Sequence, residues 1–172
     1  KDSSCPAIII EGDPIANDNF RGYADPSLEY DAATGDLWLS YSWLNVLISD
    51  PNPPVEFDLG VRTHLAKSTD GGDSFQFVRE INRPEIEAHP DTGVLGWTIH
   101  EVSTIVKQAD GRWQILWLKY FNPLGTVPDV DERQEFLYWR TIADTPEQLG
   151  DINEIWASSV ATSASYGAPV NF

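Results

Sequence analysis

Among the side chains whose types permit reaction chemistry are Arg21, Asp25, His100 and Glu101. Two are carboxylates, one is a guanidinium and one is an imidazole that can act as a base near neutral pH. A pair of carboxylates on facing strands suits glycoside hydrolysis: one protonates the leaving oxygen while the other attacks or stabilises. A guanidinium can fix a substrate carboxylate through a two-pronged fork. Each residue also has a plainer reading. Asp25 precedes Pro26 and so starts a turn, His100 and Glu101 bond to backbone at a strand edge, and Arg21 offsets an acidic surface.

Other chemistries find little support. No two of the three histidines have metal-ligand spacing. His64 falls within a strand pattern and reads as structural, and His89 lies in a polar loop with no partner in view. The acidic stretches Asp50 to Asp58 and Asp129 to Glu132 lack the glycine-centred spacing of a calcium loop. They read as solvated loops, with calcium as the weaker alternative, and no cofactor is expected. There is no phosphate-binding glycine loop, nucleophile elbow or haem-type cysteine motif.

The elements that must position these residues are strands. The chain has 172 residues, 41% of them hydrophobic, with 7 Trp, 6 Tyr and 7 Phe. That is enough for a good core and too aromatic for disorder. No apolar run approaches the roughly 18 residues needed to span a bilayer. The net charge of −16, from 27 acids against 11 bases, sets nucleic acid and anionic membranes aside as partners. The single cysteine, Cys5, cannot form an internal disulfide, which leaves the redox compartment open.

Residues 1–19 read as a lead-in, with a short strand at Ala7 to Ile10. Residues 20–82 form a first unit, with strands expected at Ala24 to Tyr30, Leu37 to Trp43, Gly60 to Lys67 and Phe75 to Ile81. A linker covers 83–97. The second unit, 98–160, carries strands at Thr98 to Lys107, Arg112 to Phe121, Gln134 to Ile142 and Ile155 to Ser159. The units align as an internal repeat: Tyr30-to-Leu37 corresponds to Lys107-to-Trp113, and each aromatic second strand leads into a long Pro- and Asp-containing loop. Their offset is roughly 75 residues, against about 40–50 in compact propeller repeats, and the excess lies in the loops. Trp38, Trp43, Trp113, Trp117 and Trp139 are expected mostly in the core.

Between the third and fourth strands of the first unit stands Ser68-Thr69-Asp70-Gly71-Gly72-Asp73-Ser74-Phe75. Its side chains and glycines suit a hairpin turn. The order also resembles the Asp-box of sialidases and other β-propeller proteins, Ser-x-Asp-x-Gly-x-Thr-Trp, with Ser68, Asp70 and Gly72 matching and Ser74 and Phe75 as close substitutes. Phe20-Arg21 is similar to the Phe-Arg-Ile-Pro segment of sialidases, with Gly22-Tyr23 in place of Ile-Pro. Ala24-Asp25-Pro26-Ser27 is similar to the opening of arabinanase- and xylosidase-like propellers.

These resemblances imply an all-β partial propeller of four-stranded antiparallel blades: two blades and, at 161–172, the start of a third or a tail. The chain would be a fragment of a six-bladed propeller. They place Asp25 and Glu101 as the catalytic carboxylates, with Arg21 and His100 binding substrate at the central funnel. The implied protein is a secreted or periplasmic glycoside hydrolase relative acting on or binding glycans. The alternative is a non-catalytic binding or assembly module, completed by further chain or by another subunit.

Overall fold

The computed structural model describes residues 8–13, 20–48, 57–89, 91–124 and 134–157. Cys5, the two acidic loop stretches at 50–56 and 129–132, and the segment 161–172 lie outside the described residues. Within them the fold is all-β, built as two curled sheets of five strands each.

The first sheet has the order β1(Ile9–Glu11), β5(Ser74–Asn82), β4(Phe57–Ser68), β3(Asp36–Ile48), β2(Phe20–Asp31). The second runs β10(Asn153–Ala157), β9(Gln134–Ala143), β8(Trp113–Pro123), β7(Leu95–Lys107), β6(Glu85–Ala88). The fifth strands lie in segments that read as a lead-in and a linker. β1 pairs in parallel with β5, and β6 pairs antiparallel with the start of β7. The remaining four strands of each sheet form antiparallel meanders, as alternating apolar runs broken by turn residues dictate.

β3 shows why the aromatic strands are so apolar. Trp38, Ser40 and Ser42 alternate with Leu39, Tyr41 and Trp43, and all six are buried. A strand covered on both faces is mostly apolar, and the two polar side chains it does carry, Ser40 and Ser42, find hydrogen-bond partners in the other sheet. The odd and even sets enter different cores. Trp38, Leu65 and Ile81 meet Ile105, Trp113, Ile115, Trp117 and Leu149 between the two sheets. Leu39, Tyr41, Trp43, Ala66 and Phe75 pack on the other face of the first sheet, with Ile10 and Leu37 against them.

At one end of the sheet–sheet contact the packing is doubled. Trp38 and Trp113 lie 6.0 Å apart at an interplanar angle of 60°. Lys67 sits over Trp38 and pairs with Asp36 at 2.7 Å, while Lys107 sits over Trp113 and pairs with Asp31 at 2.7 Å.

Turn chemistry fixes the hairpins. In the β4–β5 turn the Ser68 hydroxyl donates to Asp70 Oδ1 at 2.6 Å and accepts the Gly72 N–H at 2.9 Å. The Ser74 hydroxyl donates to Asp70 Oδ2 at 2.6 Å, and these bonds hold the Asp70 carboxyl well below the usual range. Gly71 and Gly72 supply φ of +80° and +100°. The corresponding turn of the second sheet uses a one-turn 3-10 helix, Pro146–Gln148, capped by Leu149 and followed by Gly150, whose N–H bonds Thr141 Oγ1 at 2.8 Å. In β7, Gly96 has no room for a side chain: a Cβ would stand 2.3 Å from both the Asn122 carbonyl oxygen and the Phe121 ring.

Candidate functional site

Two irregularities mark the strands that carry the candidate residues. β2 pairs with β3 in register except between Ala24 and Ser27, opposite Ser42 and Ser40. β7 pairs with β8 in register except between Glu101 and Thr104, opposite Leu118 and Leu116. Aligning the bulges sets Asp25 against Val102. These two are the non-glycine residues of positive φ among those described, at +50° and +55°. A β-branched residue in that region is an outlier, and such strain persists where surrounding contacts over-determine it.

The contacts that do so join the two sheets through serines. The Ser42 hydroxyl donates to Asp25 Oδ2 and accepts the Val102 N–H, both at 3.2 Å. Ser103 donates its hydroxyl to Ser40 at 3.0 Å, and the Ile105 N–H donates to Ser27 Oγ at 3.2 Å. Asp25 is exposed and Glu101 half-buried. Asp25 therefore stands two hydrogen bonds from the amide that follows Glu101. The Glu101 carboxylate accepts the Tyr120 hydroxyl from β8.

His100 points into the protein and is 8% exposed. Trp117 Nε1–H donates to its Nδ1 at 2.9 Å, so the neutral ring carries its proton on Nε2. Burial lowers its pKa to about 3; Lys119 pushes the same way and Glu87 opposes it. Lys119 pairs with Glu87 at 3.2 Å, and Thr98 bonds the same carboxylate at 2.5 Å. Arg21, in β2, pairs with Asn45 in β3, and its side chain lies outside the described residues.

The structure thus brings Asp25, Ser42 and the Glu101–Val102 segment together, sets His100 behind them as a neutral buried ring, and adds Tyr120. Ser40, Ser42, Ser103 and Tyr120 were not singled out by residue type. Pro26 inside a strand was the available signal, since proline there marks an edge or a bulge. Nothing comparable precedes Val102.

The other two histidines are buried. His89, expected in a polar loop with no partner, is 6% exposed: its Nδ1 accepts the Asp91 N–H at 3.2 Å and its ring meets the edge of Phe121. A short turn closed on its own side chain explains the difference. His64 is fully buried, stacked on Trp43 and bonded through Nδ1 to Asp13 at 2.9 Å. Among the described residues, no group of three or more His, Cys, Asp or Glu side chains is placed to hold a metal ion, and no helix is long and apolar enough to cross a membrane.

No protein-family model, curated protein or solved structure matches this chain.

Proposed function

We propose that the chain forms consecutive blades of a sialidase-like β-propeller and works on glycans as an exported glycoside hydrolase relative. Asp25 and Glu101 are its carboxylate pair; Arg21, on the same strand as Asp25, is its substrate anchor; and His100, buried and bonded to Trp117, lies behind the pair. The observation that carries this reading is the serine strut. Two carboxylate-bearing segments, one from each sheet and each at a bulge, are tied through Ser42 between Asp25 and Val102. Backbone strain at matched positions is a feature of functional sites. Asp25 is exposed and Glu101 half-buried, unequal environments of the kind that acid and nucleophile or base roles require. Tyr120, bonded to Glu101, fixes the orientation of the second carboxylate.

The test is hydrolysis of a panel of aryl glycosides, sialosides included, by the wild type and by Asp25→Asn and Glu101→Gln. Turnover by the wild type, lost at least 100-fold in each variant, supports the reading. Wild-type turnover that both variants retain removes these residues from the chemistry.

A second reading, a non-catalytic binding or assembly module, has its own support. The face of the first sheet away from the second holds an apolar groove of about 250 Å³, lined by Ile8, Ile10, Tyr23, Leu28, Tyr41 and Phe75 among others. Tyr23 and Leu28 are more than half exposed. Exposed apolar patches of this kind mark interaction surfaces. Glycan binding without turnover favours this module over the enzyme.

A further inference from the structure

The segment that walls one side of the apolar groove is held by an unusual contact. β1 is three residues long and pairs with the sheet in parallel, along β5. So short a parallel strand contributes little by itself. Gln76 Nε2 donates to Glu11 at 2.5 Å, but on the surface. The buried tether is the pair of Asp13 and His64, 2.9 Å apart, whose side chains are 2% and 0% exposed.

The charged and titratable groups around His64 come from each element packed on it. Asp13 faces Nδ1 from the segment after β1. Glu80 on β5 lies 3.7 Å from Nε2. Arg62, on β4 itself, and Arg83 each hold Glu80 at 2.7 Å. From β3, the Tyr41 ring meets His64 edge-on at 5.6 Å, and the Asp13 carboxylate adds to burial in raising its phenol pKa. Burial opposes protonation of His64, yet Asp13 and Glu80 outweigh it, and the pKa moves above the ordinary histidine value.

We propose that residues 8–13 form a pH-operated latch over the apolar face of the first sheet, closed while His64 is protonated and loosened when it is not. With the imidazolium in place, the buried Asp13 carboxylate has a counter-charge. Once the ring is neutral, that carboxylate is left desolvated against uncharged groups, the imidazole and the Tyr41 phenol. Release returns Asp13 to water. It also withdraws Ile8 and Ile10 from the groove, uncovering Leu39 and Phe75. The proposal is independent of the glycan reading.

A histidine whose folded-state pKa is raised contributes stability that is full below the unfolded value and declines as pH rises through the folded one. The opening constant of the latch therefore rises by at most tenfold per pH unit between the pKa His64 has with the latch open, where Asp13 no longer raises it, and the higher one it has with the latch closed, and then levels off. Amide hydrogen exchange on the full chain between pH 5.5 and 9, corrected for intrinsic rates, reads this directly. Protection across residues 9–11 should fall relative to that of Leu39 to Tyr41. In Asp13→Asn, which keeps a polar contact but removes the charge, the ratio should be flat with pH. His64→Gln should match it, and Asp13→Asn carries the test if that variant does not fold. A pH-independent ratio in the wild type overturns the latch, as does a slope that survives in Asp13→Asn.

Discussion

Removing the Ser42 hydroxyl tests whether the two bulges support one another. Ser42 is 1% exposed, and its oxygen serves two partners, donating to Asp25 and accepting from the Val102 N–H. In Ser42→Ala the Val102 amide loses its acceptor inside the sheet–sheet contact. Leaving such a donor unpaired costs about 1–3 kcal/mol. The lost bond to a carboxylate adds about 1 kcal/mol, toward the low end because the exposed Asp25 regains water. The sum is about 3 kcal/mol, with no cavity larger than one oxygen. For a chain of this size that lowers the Tm by roughly 6–12 °C.

Ser40→Ala is the control. It removes the acceptor of the Ser103 hydroxyl, a neutral donor that, unlike the fixed Val102 amide, can rotate toward another acceptor, and should cost about 1 kcal/mol. Urea denaturation followed by tryptophan fluorescence gives both numbers, and a double-mutant cycle of Ser42→Ala with Asp25→Asn should return a coupling of about 0.5–1 kcal/mol. If Ser42→Ala costs no more than Ser40→Ala, and the cycle shows no coupling, the strut does not hold the strained segments and the argument built on it fails.

Gly96→Ala places a Cβ inside the van der Waals envelope of the Phe121 ring and the Asn122 carbonyl, and should destabilise by about 1–3 kcal/mol in thermal unfolding. Val102→Gly should fall within about 1 kcal/mol of the wild type, because relief of the φ +55° strain offsets the lost side chain and the looser unfolded chain. Val106→Gly, at a regular position of the same strand, should cost more in the same urea titration. Glu80, whose burial opposes ionisation but whose bonds to His64, Arg62 and Arg83 hold its pKa down to about 2, contributes stability that is complete above about 4.5 and drains away as pH falls toward 2. Glu80→Gln should flatten that acid limb in a stability–pH profile.

Much of the fold was legible because its causes are local. The antiparallel pairing of Tyr30 with Leu37 and of Lys107 with Trp113 follows from turn residues between alternating runs. The Asp70 turn follows from short polar side chains next to glycines. What escaped were features set by distant residues. β1 and β6 are too short to show a period, and they exist because a sheet edge was there to receive them. The Asp13–His64 pair joins positions 51 residues apart, and no local pattern announces it. At the site, Asp25 and Glu101 stood out among 27 acids only through the strand positions that the propeller resemblance assigns them. Ser42 did not, because a serine in an aromatic strand is ordinary until the amide it serves, on another sheet, is known.

The tilted indoles of Trp38 and Trp113 belong to different sheets, so their 6.0 Å separation exists only while the sheets are docked. Two transition dipoles at that distance and angle couple, and the coupling produces a paired positive and negative circular-dichroism signal. That signal reports docking, whereas the peptide bands report strand content. Heating or titrating the protein while following both would separate loss of the sheet–sheet contact from loss of the sheets, with no label added.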